Sequence, residues 1–126
     1  MRFLEFEEVC ELHRTSLEAF GGADGIRDRG LIESALGSAM NTLMYGGGDV
    51  FDVAATYAFH IAQAQAFFDG NKRTAIGAAL AFLALNHAMR PPTPSDRDAL
   101  YDAMIAIANH ELDKPGLAAL FRRLFA

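Results

Sequence analysis

A chain of 126 residues is long enough to bury one hydrophobic core and too short for two, and 52% hydrophobic with 21% charged residues excludes a disordered protein. The net charge of −5, with its cations scattered along the chain, argues against non-specific nucleic-acid binding and for a protein or nucleotide partner. Cys10 is the one cysteine, which excludes an internal disulfide, fits a reducing compartment and suits a core position.

The first residues, Met1 to Glu8, carry acidic side chains and no apolar signal core, so no secretory signal is expected there. From Phe6 to Phe20 apolar residues recur at Val9, Leu12, Leu17 and Phe20, which predicts a helix stopped by Gly21 and Gly22. A turn over Ala23 to Asp28 follows. Asp28 stands at the N-cap of a second helix through Leu31, Ile32, Ala35 and Leu36. Asn41 to Asp49 reads as a flexible connector around Gly46, Gly47 and Gly48, without the Lys-Ser/Thr that a phosphate loop requires.

Asp49 caps a third helix expected from Val50 to about Ala66, whose apolar stripe runs Ala54, Ala58, Ile61 and Gln65, pointing Gln65 inward. The fourth helix, Lys72 to about Asn86, is apolar nearly all round and belongs at the centre of a bundle. The longest uncharged apolar run, Ala75 to Asn86, is too short to span a bilayer. Pro91, Pro92 and Pro94 make a stiff corner, and Ser95 with Asp98 resembles a capping box opening a fifth helix. Asp113 with Pro115 opens the last, through Leu117 to Phe125. No strand pattern or repeat is visible. The expectation is an all-α, single-domain bundle of about six helices spanning residues 1–126, cytoplasmic and without a membrane role.

Between the third and fourth helices lies the one stretch whose chemistry breaks the apolar pattern, Gln65 to Thr74. A helix start leaves its first amides without internal acceptors, and a Gly70-Asn71 turn followed by Lys72 and Arg73 is what an anion-binding turn looks like. Cations in a first helical turn oppose the helix dipole, a cost that a bound anion would offset. Asp69 reads either as a plain N-cap or as a carboxylate holding a hard divalent cation beside phosphate. Phe67 is expected to pack beneath the turn. The four histidines, His13, His60, His87 and His110, show no zinc-like spacing.

Phe67, Asp69, Gly70, Asn71, Lys72, Arg73 and Thr74 resemble the signature of the Fic/Doc family, His-x-Phe-x-Asp/Glu-Gly-Asn-Gly/Lys-Arg. Lys72 and Ile76 stand where AMP-transferring members carry glycine and arginine, so the motif is similar to the Doc branch, the death-on-curing toxins. The stretches Gly25 to Asp28, Gly30 to Leu36 and Ala81 to Asn86 extend the resemblance over most of the chain.

The resemblance implies a toxin, paired with a cognate antitoxin, that moves the γ-phosphate of ATP to a Ser/Thr hydroxyl of a protein, in the best-known case elongation factor Tu. It further implies that Asp69 positions Mg²⁺ or the target hydroxyl, that Gly70, Asn71, Lys72 and Arg73 cradle phosphates, with Arg73 also catalytic, and that Arg27 and Asp28 line the cleft. DNA binding would belong to the antitoxin. The family histidine falls at Gln65, which cannot relay a proton near neutral pH, and losing a general base costs about 10²–10⁴-fold in rate. Two other readings fit the same residues. One is nucleotidyl transfer as in Fic proteins, against which Lys72 and Ile76 argue; the other is a catalytically inactive member that binds nucleotide and protein.

Overall fold

The computed structural model describes residues 1–126 as six helices with no strand: α1 Phe6–Phe20, α2 Arg29–Met44, α3 Val50–Ala64, α4 Asn71–Leu85, α5 Pro94–Ala108 and α6 Lys114–Phe125. None is long and apolar enough to cross a membrane. α3 and α4 form the centre, α3 packing against α2, α4 and α6 while α4 also meets α1 and α5. Ala54, Ala58, Ala75, Ala78 and Ala79 are all fully buried, and their small side chains let α3 and α4 pack closely. Between them lie Tyr57, Phe82 and Leu83, the first two with ring centroids 5.2 Å apart.

Most helix starts follow their sequence signals. Asp28 accepts the Leu31 N–H, Asp49 those of Phe51 and Asp52, and Asp113 that of Gly116. Four expectations are corrected. α2 continues through Asn41 to Met44, because the Thr42 hydroxyl bonds back to the Ser38 carbonyl and meets Thr56 of α3, anchoring the last turn. α5 opens on Thr93 and Asp96, not Ser95 and Asp98, with Pro94 as its first residue.

The third correction is Gln65. α3 stops at Ala64, and Gln65 takes a left-handed conformation (φ 53°, ψ 43°), which throws its side chain outward, exposed, instead of continuing the inward stripe. The Arg27 guanidinium secures this end, donating to the carbonyls of Ala64 and Gln65. The fourth is the start of α4. Its N-cap is Gly70, at φ 79°, and the Asp69 side chain turns elsewhere.

Candidate active site

The segment Ala66–Gly70 is held from three sides. Ala66 accepts the backbone N–H groups of Arg27 and Asp28, and Phe68 donates to Gly25, so the α1–α2 loop lies antiparallel against it at the Ile26–Phe67 bridge. The Asn71 side chain closes the turn, accepting the Phe67 N–H at 3.1 Å and donating to the Phe67 carbonyl at 2.9 Å. Phe67, 2% exposed, stacks on the buried ring of His13 with centroids 3.8 Å apart. His13 Nε2 donates to the Asp69 carbonyl at 2.7 Å; a carbonyl only accepts, so this nitrogen carries the proton.

Asp69 Oδ2 accepts the Ala23 N–H at 2.7 Å, fastening the carboxylate to the loop after α1. That approach explains Gly22: at φ 123°, a Cβ there would stand 3.1 Å from the Asp69 Cβ and from Leu17.

At the start of α4 the first backbone bond is donated by Thr74 to the Gly70 carbonyl, and no side chain caps the helix. The amides of Gly70, Asn71, Lys72 and Arg73 therefore have no protein acceptor and form an electropositive cluster. Lys72 and Arg73 add full charges, and neither forms an ion pair. Arg73 is held by aromatic faces instead, its guanidinium carbon 4.1 Å from the Phe20 ring centroid and 5.4 Å from that of Tyr101. Cation–π contact orients a guanidinium while leaving its N–H fork free for an anion.

These groups line a cleft of about 230 Å³ formed by Gln65, Phe68, Asp69, Gly70, Asn71, Lys72, Arg73 and Tyr101. A second cleft, about 320 Å³, adjoins it, sharing Gln65 and Lys72 and running between the end of α3 and the α5 side chains Met104, Ile107 and Ala108. The arrangement offers amides and cations to an anion at one end and a partly apolar trough beside it. Only one carboxylate faces the first cleft, and no three His, Cys, Asp or Glu side chains converge in the protein. That donor set suits a hard cation arriving with phosphate oxygens and its own waters, not a resident metal cage.

A model of the Fic/DOC family matches residues 3–83, which run from the start of the chain into α4. The chain is also 33% identical over 126 residues to Protein kinase doc of Escherichia phage P1, covering 99% of this chain and 97% of that protein. The chain belongs to the Fic/DOC family. It is similar as well to Toxin Doc of Mycolicibacterium smegmatis, 35% identical over 105 residues, with 80% of this chain and 78% of that protein covered.

Within this family member, Gln65 and Asp69 to Arg73 meet at one cleft, whereas Arg27 and Asp28 do not line it. Arg27 secures the end of α3, and Asp28 caps α2. Asn71 lines the cleft, but its side-chain amide is engaged by Phe67, which leaves its backbone N–H for a ligand. His60 lies elsewhere, 3.1 Å from Lys114, with burial and that ammonium lowering its pKa. Three contributors escaped the sequence reading: His13, Phe20 and Tyr101. Each arrives from a distant helix, and no local spacing announces it.

Proposed function

We propose that this protein is a Doc-like toxin that transfers the γ-phosphate of ATP to a Ser/Thr hydroxyl of a protein, with Gln65 lowering its rate. The supporting observation is the uncapped start of α4, where four acceptor-free amides stand beside Lys72 and a clamped Arg73, in a chain similar over nearly its whole length to a protein named as a kinase. Such a cradle stabilises the charge that spreads over the equatorial oxygens of a phosphoryl group in transfer, which is the main catalytic task in this chemistry.

In this reading the amides of Gly70 to Arg73 and the Lys72 and Arg73 cations bind the phosphates. Asp69, fixed by Ala23, faces the same space and would hold a Mg²⁺ ion that neutralises phosphate charge. The target oxygen bonds to the γ-phosphorus as the bond to the β–γ bridging oxygen breaks, and ADP leaves. The hydroxyl proton needs an acceptor. Gln65, at the mouth of both clefts, orients the hydroxyl through its amide oxygen but cannot take the proton. Solvent then receives it, and the reaction is slow. A cognate antitoxin and a cytoplasmic protein target, with elongation factor Tu as the first candidate, complete the reading.

Incubation with γ-labelled ATP and bacterial lysate tests it. We expect faint protein labelling by the natural chain and about 10²–10⁴-fold faster labelling by Gln65→His. No labelling by either overturns the kinase reading. Transfer of α-label instead would mean nucleotidyl transfer. Gln65 itself favours a second reading, a non-catalytic member that binds nucleotide and protein. Nucleotide binding lost in Asp69→Ala or Arg73→Ala, without turnover in Gln65→His, would establish that one.

A further inference from the structure

His13 is the one histidine in the buried part of the molecule, 3% exposed, and the transfer chemistry does not use it. It comes from the middle of α1, 56 residues from the carbonyl that it meets. Its Nε2–H reaches the Asp69 carbonyl at 2.7 Å, its ring lies at 10° to Phe67, and a Cβ at Gly70 would be 3.6 Å from its Cδ2. It therefore touches three of the four residues from Phe67 to Gly70 without entering the cleft.

The peptide plane gives this contact its consequence. In a trans peptide the carbonyl of one residue and the N–H of the next point in opposite directions within one rigid plane. There are no cis peptides in the chain. Holding the Asp69 carbonyl toward α1 thus aims the Gly70 N–H the other way, and that N–H has no acceptor in the protein. Gly70, with no Cβ and a positive φ, would otherwise let this peptide rotate easily.

We propose that His13 is a positioning residue for the anion-binding turn: by fixing the Asp69–Gly70 peptide it presents the Gly70 N–H to a bound phosphate. The proposal rests on the phosphate-binding reading of the cleft. It extends that site to a helix whose side chains do not line it.

Two variants isolate the donor. His13→Gln and His13→Asn both lose the ring stacked on Phe67, but only glutamine carries an amide N–H at about the reach of Nε2. A third, His13→Phe, keeps the stack and removes the donor. Each is folded and followed by amide-resolved NMR, with thermal melting as the stability control, while ATP and then inorganic pyrophosphate are added. In the natural protein the Gly70 amide resonance should shift with either ligand.

His13→Asn and His13→Phe should bind about tenfold more weakly, the value of one hydrogen bond, with the Gly70 shift lost, while His13→Gln stays within about threefold of the natural protein. Equal affinities and an unchanged Gly70 shift across Gln, Asn and Phe overturn the positioning role. A natural protein that binds pyrophosphate but not ATP overturns the ATP reading alone, and the pyrophosphate series still decides the role of His13. A Gly70 amide that ignores both ligands while they bind overturns the positioning role alone, and failure of both ligands to bind overturns the phosphate-binding reading with it.

Discussion

The starts of α4 and α5 meet the same physical demand and answer it in opposite ways. At α5 the Thr93 hydroxyl accepts the Asp96 N–H, the Asp96 carboxylate accepts the Thr93 N–H, and Arg90 grips that carboxylate with both nitrogens, at 2.6 and 3.2 Å. Arg90 also donates to the Leu124 carbonyl, tying the corner to α6. Amides, carboxylate and cation satisfy one another, and Asp96 is 6% exposed. At α4 the cap is a glycine, the amides have no acceptor, and the arginine rests on Phe20 and Tyr101 without a carboxylate. The closed start contributes stability. The open one keeps its hydrogen-bonding capacity for something outside the chain, which is what a binding site needs and a folding unit avoids.

The sharpest way to break this contrast is Arg73→Ala. If Arg73 holds phosphate as proposed, its removal should weaken ATP about 10–100-fold, since charge-assisted bonds are each worth about 1.5–3 kcal/mol. Stability should fall by about 1 kcal/mol or less, less than the loss in binding. The lost contacts with Phe20 and Tyr101, about 0.5–1 kcal/mol each, are offset in part by removing a positive charge from the positive end of a helix dipole, about 0.3–1 kcal/mol. Calorimetric titration and thermal melting of the same sample check both halves. A variant that binds ATP normally but melts much earlier would make Arg73 a structural residue.

The same contrast explains what the sequence could disclose. Closed helix starts are legible because their partners lie within three residues: Asp28, Asp49 and Asp113 each cap the helix that follows them. Even there a competing pair misleads, and Ser95 with Asp98 loses to Thr93 with Asp96 because Arg90 rewards the latter carboxylate. The open start is legible as a motif, since Gly70, Lys72 and Arg73 break an apolar pattern. Of its supports only Phe67, expected beneath the turn and buried there, is legible. Asp69 looks like an N-cap until Ala23, 46 residues away, claims its carboxylate, and Gln65 looks like the end of a helical stripe until a left-handed residue ends α3 early. His13, Phe20 and Tyr101 act through contacts between helices, and tertiary packing carries no signature in local spacing.

Thr93→Ala should give the mirror image of Arg73→Ala. Loss of an N-cap hydroxyl typically costs about 1 kcal/mol, so the denaturation midpoint should fall while the ATP affinity stays that of the natural protein. Urea titration followed by circular dichroism, with calorimetry on the folded variant, measures both. If Thr93→Ala also weakened ATP, the two helix starts would be coupled through α5, which carries Tyr101 to the cleft, and their division of labour would be incomplete.

The smallest expected effect is an acid one, confined to α5. The bidentate bond from Arg90, with the Thr93 N–H, holds the Asp96 carboxyl well below the usual carboxylate range. A carboxyl depressed in the folded state binds fewer protons there than in the unfolded chain, so its contribution is fully present above the unfolded value of about 4 and fades as pH falls toward the folded one. The contribution is modest because the Arg90 side chain is 48% exposed and its charge is screened. Melting the natural protein beside Asp96→Asn from pH 7 to pH 2 isolates it. The natural protein should be the more stable at pH 7, and the gap should narrow only below about pH 4. A gap that stays constant to pH 2 would mean that the box at α5 works through the shape and hydrogen bonds of its side chains and not through the charge on Asp96.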